Sequence, residues 1–285
     1  MDNKEKYGKK PLNFRIRGGE KLSGEIAVNT AKNSAVALLC ASLLNRGTTT
    51  LKRVPKIEDV FRIIEVLRSI GAEIVWTREH ELRITPPEKP NLKNIDKNAA
   101  VKTRSVIMLI GPLIHRLKKF TIPQAGGCKL GSRTVRPHFY ALEPLGVSIK
   151  AQKNAYNVSI KNLKPADKIV LYESGDTVTE NALTAAARLD GKTTIKLASA
   201  NYQVQDLCRF LEKLGVKIEG IGTTTLTVTG KPDINEDAAF SLSEDPIEAM
   251  LFLSIAAVTG SKITIKGAPM EFLELELLKL EKMGF

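Results

Sequence analysis

The sequence predicts an α/β protein made of repeated units of about seventy residues. Four amphipathic segments end in the pattern Leu-x-x-x-Gly, at Gly71, Gly146, Gly215 and Gly284. A short run rich in β-branched residues follows each of the first three glycines. Because glycine is favoured where a helix ends and β-branched residues favour strands, each segment indicates a helix followed by a strand.

The first and third units align over their whole length. In the first unit we expect strands at 25–29, 47–51, 73–76 and 81–85 and helices at 32–44 and 56–69. In the third unit we expect strands at 168–172, 191–195, 217–219 and 224–229 and helices at 177–189 and 202–214. The helices are predicted from apolar residues at helical spacing, and the strands from alternating β-branched residues. The repeated unit is therefore β-α-β-α-β-β.

The second unit spans 93–162, and the fourth begins at Ala238 and reaches only its second helix. Three complete units predict one domain over 20–231. Residues 1–19 and 232–285 are expected to belong to a second, incomplete domain. Because the missing strands would leave strand edges and a helix face uncovered, we expect this sequence to be a fragment of a longer protein.

The composition is that of a globular protein with a strong positive charge. Of the 285 residues, 43% are apolar and 26% are charged, and the formal net charge is +12. Such a charge fits nucleic acid, an anionic membrane surface or a polyanionic small substrate. Since the basic residues are interleaved with acids along the whole chain and aromatic residues are few, we interpret much of the excess charge as a solvated face, and we expect no nucleic acid and no membrane partner. No oligomeric state is predicted.

The three cysteines, Cys40, Cys128 and Cys208, indicate a reducing compartment, because they are too few and too scattered for a disulfide framework. Cys40 and Cys208 lie in apolar helical segments and are predicted to be buried packing residues. The charged N-terminal residues are not followed by an apolar segment, and the longest apolar run is much shorter than a membrane span. The expected location is the cytoplasm.

The loop around Cys128 is predicted to carry the chemistry. It contains Ala125-Gly-Gly-Cys-Lys-Leu-Gly-Ser-Arg133, and Arg136 follows three residues later. Three glycines give the loop no apolar face, so we expect a mobile, cationic surface loop. A thiol close to Lys and Arg is shifted towards the thiolate, and a glycine-rich backbone beside cations can approach a phosphate closely. A surface loop with an incidental cysteine is the alternative.

Other candidate groups receive structural interpretations. The three histidines do not have the spacing of metal ligands. His80 and His115 are expected at the surface, and His138 at the start of a helix, near the substrate. Glu58 and Asp59 are interpreted as a solvated helix face rather than a catalytic pair.

The Cys128 loop resembles that of the enolpyruvyl transferases, and among them those that use UDP-N-acetylglucosamine. The resemblance also rests on Ala31-Lys-Asn33, on the segment from Lys102 to Leu113 and on Ser243-Glu-Asp-Pro-Ile-Glu248, and it runs from about Asn13 to Phe285. It implies an inside-out α/β barrel of three repeats plus the start of a second such domain. It also implies transfer of the enolpyruvyl group from phosphoenolpyruvate to the 3-hydroxyl of UDP-N-acetylglucosamine, with release of phosphate, in peptidoglycan precursor synthesis.

The same resemblance implies the site residues. Cys128 would be the general acid that protonates the methylene carbon of phosphoenolpyruvate. Lys32, Asn33 and Arg133 would bind phosphoenolpyruvate. The UDP-sugar would contact Arg104, Arg133, Thr134, Val135, Arg136, Pro137, Ser174, Gly175 and Asp245. No metal or cofactor is expected, and further site residues are expected beyond Phe285, so that the fragment alone is expected to be inactive.

Three departures from the family pattern bear on the acceptor. Arg136 stands where the family commonly has an acid, Tyr172-Glu173 replaces a lysine-containing segment, and Asn201-Tyr-Gln203 replaces an acidic stretch. The sister enzymes that use shikimate 3-phosphate are the alternative within the fold, although they are not expected to carry the cysteine. A non-catalytic protein that binds RNA or another anion is the alternative from a different class.

Overall fold

The computed structural model describes residues 13–124, 126 and 134–285. These residues form two compact units. The larger unit is Asn29–Asp245, and the smaller one combines the described part of Met1–Val28 with Pro246–Phe285. The division predicted above, into 20–231 and its flanking segments, stays a prediction.

Helices and strands alternate along the described residues. The strands are β1 (Ser23–Ala27), β2 (Thr49–Lys52), β3 (Glu73–Arg78), β4 (Glu81–Thr85), β5 (Lys119–Pro123), β6 (Val147–Gln152), β7 (Ala155–Ile160), β8 (Lys168–Val170), β9 (Lys192–Lys196), β10 (Lys217–Glu219), β11 (Thr225–Thr229), β12 (Ala238–Ser241) and β13 (Lys262–Lys266). The α-helices are α1 (Lys32–Ala41), α2 (Glu58–Ser69), α3 (Lys97–Ala100), α4 (Ile110–Leu113), α5 (Arg136–Leu142), α6 (Asp176–Ala186), α7 (Tyr202–Lys213), α8 (Pro246–Thr259) and α9 (Glu274–Lys282). Short 3-10 helices lie at Ser42–Leu44, Leu92–Asn94, Arg104–Leu109, Glu143–Leu145 and Met270–Phe272.

The first and third repeats have the predicted order of elements, β1-α1-β2-α2-β3-β4 and β8-α6-β9-α7-β10-β11. The strands of the third repeat form a sheet in the order β10-β11-β9-β8, in which β8 and β9 are parallel. The second repeat differs at its start, where short helical pieces between Leu92 and Leu113 precede a sheet in the order β5-β7-β6.

The sheet of the first repeat takes its parallel strand from a distant part of the chain. Its order is β12-β2-β4-β3, and β12 pairs in parallel with β2. β12 therefore holds the place that β8 holds in the third repeat. β1 instead pairs in parallel with β13 in the smaller unit. Periodicity in the sequence defines each strand but not its partner, so this exchange was not predicted.

The two ends of the larger unit are hydrogen-bonded to each other. The Asp245 N–H donates to the Asn29 carbonyl at 2.9 Å, and the Ala31 N–H donates to the Ser243 carbonyl at 2.9 Å. Between these contacts, residues 30 and 244 form an antiparallel bridge. The segments that enter and leave the larger unit therefore run side by side in opposite directions.

The helices lie inside the larger unit and the sheets lie outside. Eight of the ten residues of α1 and nine of the eleven residues of α6 are buried. The strands bury alternate residues: in β9, Thr193 and Ile195 are buried, whereas Lys192 and Lys196 are exposed. Each sheet therefore turns one apolar face to the central helices and one polar face to water. The predicted inside-out α/β arrangement is confirmed.

The four repeated glycines end helices or the 3-10 turns that extend them, as predicted. Gly71, Gly146, Gly215 and Gly284 have φ angles of 108°, 87°, 88° and 91°. This left-handed conformation is strained for other residues and easy for glycine, so the Leu-x-x-x-Gly pattern records where each helical segment must stop.

The smaller unit has a two-stranded sheet of β1 and β13 and the helices α8 and α9. Its buried apolar cluster contains Val28, Ala249 and Leu273. Although α8 is apolar along most of its fourteen residues, only Pro246 and Ala249 are buried in it. Apolar side chains of this unit therefore remain exposed.

The buried face of α2 allows a test of the core. Ile63 is fully buried, whereas Ile57, the residue before the helix, is 38% exposed. We expect Ile63→Ala to lower the free energy of unfolding by about 3 kcal/mol, because it removes buried methyl groups and leaves a cavity. Ile57→Ala is the matched control and is expected to cost about 1 kcal/mol. Urea denaturation followed by circular dichroism measures both, and equal losses would contradict this packing.

Candidate active site

Most of the predicted site residues belong to the larger unit and are described by the structure. They are Lys32, Asn33, Arg104, Thr134, Val135, Arg136, Pro137, Ser174, Gly175 and Asp245. Cys128 and Arg133 lie outside the described residues, and their roles stay predictions.

The first turn of α1 holds Lys32 and Asn33. The Lys32 Nζ lies 3.6 Å from Asp59 Oδ2 on α2, and both side chains are partly exposed. The Asn33 Nδ2 donates to Tyr202 Oη at 3.3 Å. Asp59, which the sequence assigned to a solvated helix face, is therefore the ionic partner of Lys32.

Tyr202 opens α7 and lies close to both Asn33 and Asp245. Its ring is buried. Burial, and then the negative charge of Asp245, raise the pKa of the Tyr202 hydroxyl above its usual value, so the phenol keeps its proton. Asp245 is partly buried at the end of the larger unit. The Tyr202 phenol therefore interacts with Asn33 through a hydrogen bond and with Asp245 through its charge.

Arg104 lies beside the segment that follows the Cys128 loop. Its Nη2 donates to the Thr134 carbonyl at 3.3 Å. The Thr134 hydroxyl accepts from the Arg136 N–H at 3.2 Å, at the start of α5. Arg136 is exposed, whereas Pro137 is buried and Val135 packs against the core. Arg104 is therefore adjacent to the segment that the resemblance assigns to the UDP-sugar.

The start of α6 carries Ser174 and Gly175. The Ser174 hydroxyl donates to the Ala198 carbonyl at 3.3 Å. The Gly175 carbonyl accepts from both the N–H and the hydroxyl of Thr179, at 3.1 and 2.7 Å. A Cβ atom at position 175 would lie 3.0 Å from Glu173 Oε1 and 3.1 Å from a Val178 methyl group. Glycine here lets the backbone approach its surroundings closely.

His138 connects the start of α5 with α6. The ring is buried, with Nε2 at 3.4 Å from Thr177 Oγ1 and Nδ1 at 3.1 Å from Asn181 Nδ2. Burial, and then the positive charge of Arg104, lower the His138 pKa to about 4. The imidazole is therefore neutral at pH 7. The expectation that His138 lies near the substrate stays a prediction.

Side-chain hydrogen bonds also join α6 to α7. The Asp176 carboxylate accepts from the Ser199 hydroxyl at 2.6 Å and from Asn201 Nδ2 at 3.3 Å. The Asn201 Oδ1 in turn accepts from the Tyr202 N–H at 2.9 Å and caps α7. These contacts fix the start of α6 against the start of α7.

The starts of four helices are therefore linked to one another. The linking pairs are Asn33–Tyr202 between α1 and α7, Asp176–Asn201 between α6 and the cap of α7, and His138–Thr177 between α5 and α6. The three longer helices, α1, α6 and α7, have ten to twelve residues each. Backbone N–H groups at such helix starts carry partial positive charge. Together with the cations described above, this end of the larger unit suits phosphate and carboxylate groups.

Sequence reasoning missed Tyr202, Asp176 and Asn181. Asp176 and Asn201 each stand where a helix is predicted to begin, and capping was a sufficient explanation for them. The Tyr202 contact with Asn33 joins residues that are 169 positions apart. The one available signal was that Asn201-Tyr-Gln203 departs from the family pattern.

The buried cysteines are as predicted, and one histidine is not. Cys40 and Cys208 are both buried and free. His115 was expected at the surface, but it is partly buried, with Nε2 at 3.3 Å from the Thr184 carbonyl. Burial, and then the charge of Arg188, lower its pKa to about 4.

Glu180 is buried on α6, one turn after Asp176. Its Oε1 accepts from Gln203 Nε2 at 3.2 Å, and its Oε2 has no hydrogen-bond partner among the described residues. Burial, and then the negative charge of Asp176, raise the Glu180 pKa to about 8. This carboxyl group is therefore mostly neutral at pH 7.

The described residues offer neither a metal-binding cluster nor a membrane-spanning helix. In residues 13–124, 126 and 134–285, no cluster of three or more His, Cys, Asp or Glu side chains is placed to hold a metal ion. Over the same part of the chain, no helix combines the length and the hydropathy required to cross a bilayer.

Comparison with protein families identifies the group to which these residues belong. A family model described as EPSP synthase (3-phosphoshikimate 1-carboxyvinyltransferase) matches residues 16–285. The chain belongs to the EPSP synthase family. This family membership confirms the resemblance to enolpyruvyl transferases that the sequence motifs indicated.

Curated proteins with similar sequences are named for a different acceptor. The UDP-N-acetylglucosamine 1-carboxyvinyltransferase of Bradyrhizobium diazoefficiens is 36% identical over 274 residues, which cover 96% of this chain and 63% of the relative. The protein of the same name from Campylobacter hominis is 36% identical over 282 residues, which cover 95% of this chain and 65% of the relative. The chain therefore spans less than two thirds of the length of these relatives.

Two solved structures of other proteins have the same fold. The enolpyruvyl transferase NikO from Streptomyces tendae aligns with a TM-score of 0.72 at 19% identity, over 84% of this chain and 56% of that one. EPSP synthase from Acinetobacter baumannii aligns with a TM-score of 0.66 at 17% identity, over 88% of this chain and 57% of that one. These likenesses confirm the predicted fold class.

The buried carboxyl group allows a test by pH. Because the Glu180 pKa rises from 4.5 to about 8 on folding, the folded chain holds this proton more tightly than the unfolded chain. The contribution of this group to the free energy of unfolding is fully present below about pH 4.5 and is lost as the pH rises through about 8. We expect Glu180→Gln, which cannot ionise, to gain stability relative to wild type between about pH 5 and pH 8.

Thermal unfolding of both proteins across this pH range measures the gain. Glu212→Gln, at an exposed position on α7, controls for the general effect of removing one negative charge. A difference between wild type and Glu180→Gln that stays constant with pH would contradict the neutral, buried carboxyl group.

Proposed function

We propose that this chain belongs to an enolpyruvyl transferase that binds UDP-N-acetylglucosamine and phosphoenolpyruvate. The observation that carries the proposal is the joining of the starts of α1, α6 and α7 beside the cations Lys32, Arg104 and Arg136. The diphosphate of one substrate and the phosphate and carboxylate of the other suit helix starts and guanidinium groups. The names of the relatives support the choice of acceptor.

The proposed binding roles divide between two substrates. Lys32 and Asn33 on α1, together with Arg133, hold phosphoenolpyruvate. UDP-N-acetylglucosamine, the larger substrate, is bound by Arg104, the segment from Arg133 to Pro137, Ser174, Gly175 and Asp245. The contact between Arg104 and Thr134 supports a shared role for Arg104 and the segment from Arg133 to Pro137. The position of Gly175 as the N-cap of α6 supports a backbone contact there.

In the proposed reaction, Cys128 gives its thiol proton to the methylene carbon, C3, of phosphoenolpyruvate. The 3-hydroxyl oxygen of the sugar loses its proton and bonds to C2. The tetrahedral intermediate then loses a proton from C3, and phosphate leaves with the electron pair of the C2–O bond. The double bond of the enolpyruvyl group is thereby restored in the product. The cations stabilise the leaving phosphate.

We place this reaction in the cytoplasm, as a step of peptidoglycan precursor synthesis on which cell shape and division depend. The free, buried cysteines Cys40 and Cys208 support a reducing compartment. A thiol acting as proton donor also requires that it remain unoxidised.

Removal of the Arg104 charge tests the substrate site directly. We expect Arg104→Gln to weaken UDP-N-acetylglucosamine binding by about 10-fold or more, because a charge-assisted contact to phosphate is lost. Arg78→Gln, at an exposed position on β3, is the matched control and should bind like wild type. Isothermal titration calorimetry on the 285-residue chain measures the affinities.

The same titrations separate the alternatives. Binding of shikimate 3-phosphate in place of the nucleotide-sugar would favour the sister activity. Retention of RNA that falls steeply with salt, without affinity for the nucleotide-sugar, would favour an anion-binding protein. Either result would overturn the proposed acceptor.

Substitution of Cys128 tests the chemistry. In the natural full-length protein, phosphate release from phosphoenolpyruvate should require UDP-N-acetylglucosamine. We expect Cys128→Ser to lower kcat by about 100-fold or more, because an alcohol is a far weaker proton donor than a thiol. Cys128→Asp should keep part of the activity, because a carboxylic acid can also donate a proton. Unchanged turnover in Cys128→Ser would refute the role.

A further inference from the structure

The hydrogen bonds around Asn181 have a fixed direction. Its Oδ1 accepts from the Gly111 N–H at 2.7 Å, and its Nδ2 donates to the Ile107 carbonyl at 3.2 Å. A backbone N–H can only donate and a carbonyl can only accept, so these two contacts decide which end of the amide is the oxygen. The Asn181 Nδ2 therefore also acts as the donor to His138 Nδ1, at 3.1 Å.

Neighbouring atoms pack closely around the Asn181 side chain. A Cβ atom at position 111 would lie 2.7 Å from Asn181 Oδ1 and 2.1 Å from Thr184 Oγ1. Only glycine at position 111 therefore allows its N–H to reach the amide without displacing it. Asn181 itself is fully buried. The amide is thus held in one orientation by packing as well as by hydrogen bonds.

This orientation selects one tautomer of His138. A ring nitrogen that accepts a hydrogen bond carries no proton, so Nδ1 is unprotonated. The ring is buried and neutral at pH 7, since its pKa is lowered to about 4. Its single proton is therefore on Nε2, which lies 3.4 Å from Thr177 Oγ1. Because the Thr177 oxygen accepts this proton, the Thr177 hydroxyl must direct its own proton to a different acceptor.

The hydroxyl lies within the proposed site. Thr177 is exposed in the first turn of α6, two residues after Gly175. The charge of Arg104 acts on the His138 ring. An anionic oxygen bound at the start of α6 would therefore lie close to the Thr177 hydroxyl.

We propose that Thr177 is a further binding residue, which donates its hydroxyl proton to an anionic oxygen of the nucleotide-sugar, and that His138 is the positioning residue that sets the direction of this hydroxyl. The proposal rests on the proposed function for the identity of the ligand. The direction of the hydrogen bonds does not depend on it.

Two substitutions of Thr177 test the binding role. Thr177→Val keeps the shape of the side chain and removes the hydroxyl, whereas Thr177→Ser keeps the hydroxyl. Calorimetric titration with UDP-N-acetylglucosamine should show about 10-fold weaker binding for Thr177→Val, as expected for a lost hydrogen bond to a charged group. Thr177→Ser should stay within about twofold of wild type. Thr177→Ser should unfold at the wild-type temperature, whereas Thr177→Val should unfold at a slightly lower temperature, because the buried His138 Nε2–H loses its acceptor.

The tautomer of His138 can be observed without any ligand. Nitrogen-15 NMR of the imidazole ring should show the proton on Nε2 at pH 7. A proton on Nδ1, or a doubly protonated ring, would overturn the positioning role. Equal affinities of wild type and Thr177→Val would overturn the role of Thr177 while leaving the proposed function in place. A wild-type chain that does not bind UDP-N-acetylglucosamine would instead overturn the proposed substrate, and with it the assignment of Thr177 to that ligand.

Discussion

The arrangement of this chain depends on the burial of α1 and α6 between sheets. A helix buried on nearly every side cannot rotate or slide without exposing apolar residues or leaving a void, so its ends have fixed positions. The sheets bury only alternate residues and present their polar faces to water. In this arrangement the buried helices are inside, and their first turns carry the polar residues Lys32, Asn33 and Asp176, which are only partly buried. The candidate site is built from those first turns.

The charged groups of the site are at least partly exposed. They are Lys32, Arg104 and Arg136 together with Asp176 and Asp245. Two buried titratable groups, His138 and Glu180, are mostly neutral at pH 7, because burial lowers the pKa of His138 and raises that of Glu180. Uncharged buried groups transmit orientation through hydrogen bonds without the cost of burying a charge. The exposed charged groups therefore attract the ligand, and the buried neutral groups align it.

The sequence was sufficient for several features that are local along the chain. The repeat, the left-handed glycine at the end of each helical segment, and the buried positions of Cys40 and Cys208 all follow from spacing within one helix or strand. Pairing between distant segments was not accessible in this way. The placement of β12 beside β2, and of β1 beside β13, depends on sheet edges that periodicity does not label.

The candidate site shows the same limit. The resemblance supplied the residues, but it did not reveal that Asn33 donates to Tyr202, that the charge of Asp245 acts on the same phenol, or that Asp59 pairs with Lys32. His115 was misplaced because a single histidine at the end of an apolar segment looks the same in sequence whether it is solvated or hydrogen-bonded to a neighbouring helix. Its partner, the Thr184 carbonyl, lies 69 positions away.

The contact between Asn29 and Asp245 has a consequence for how this fold can be cut and rejoined. The first and last residues of the larger unit meet through a backbone hydrogen bond, so the unit has the form of a closed loop inserted at one point of a host chain. Removing such an insert leaves two chain ends that a very short linker can connect. Joining these ends costs little chain entropy. The larger unit is thus suited to exchange as an intact module between otherwise different hosts, and to circular permutation at any of its surface turns.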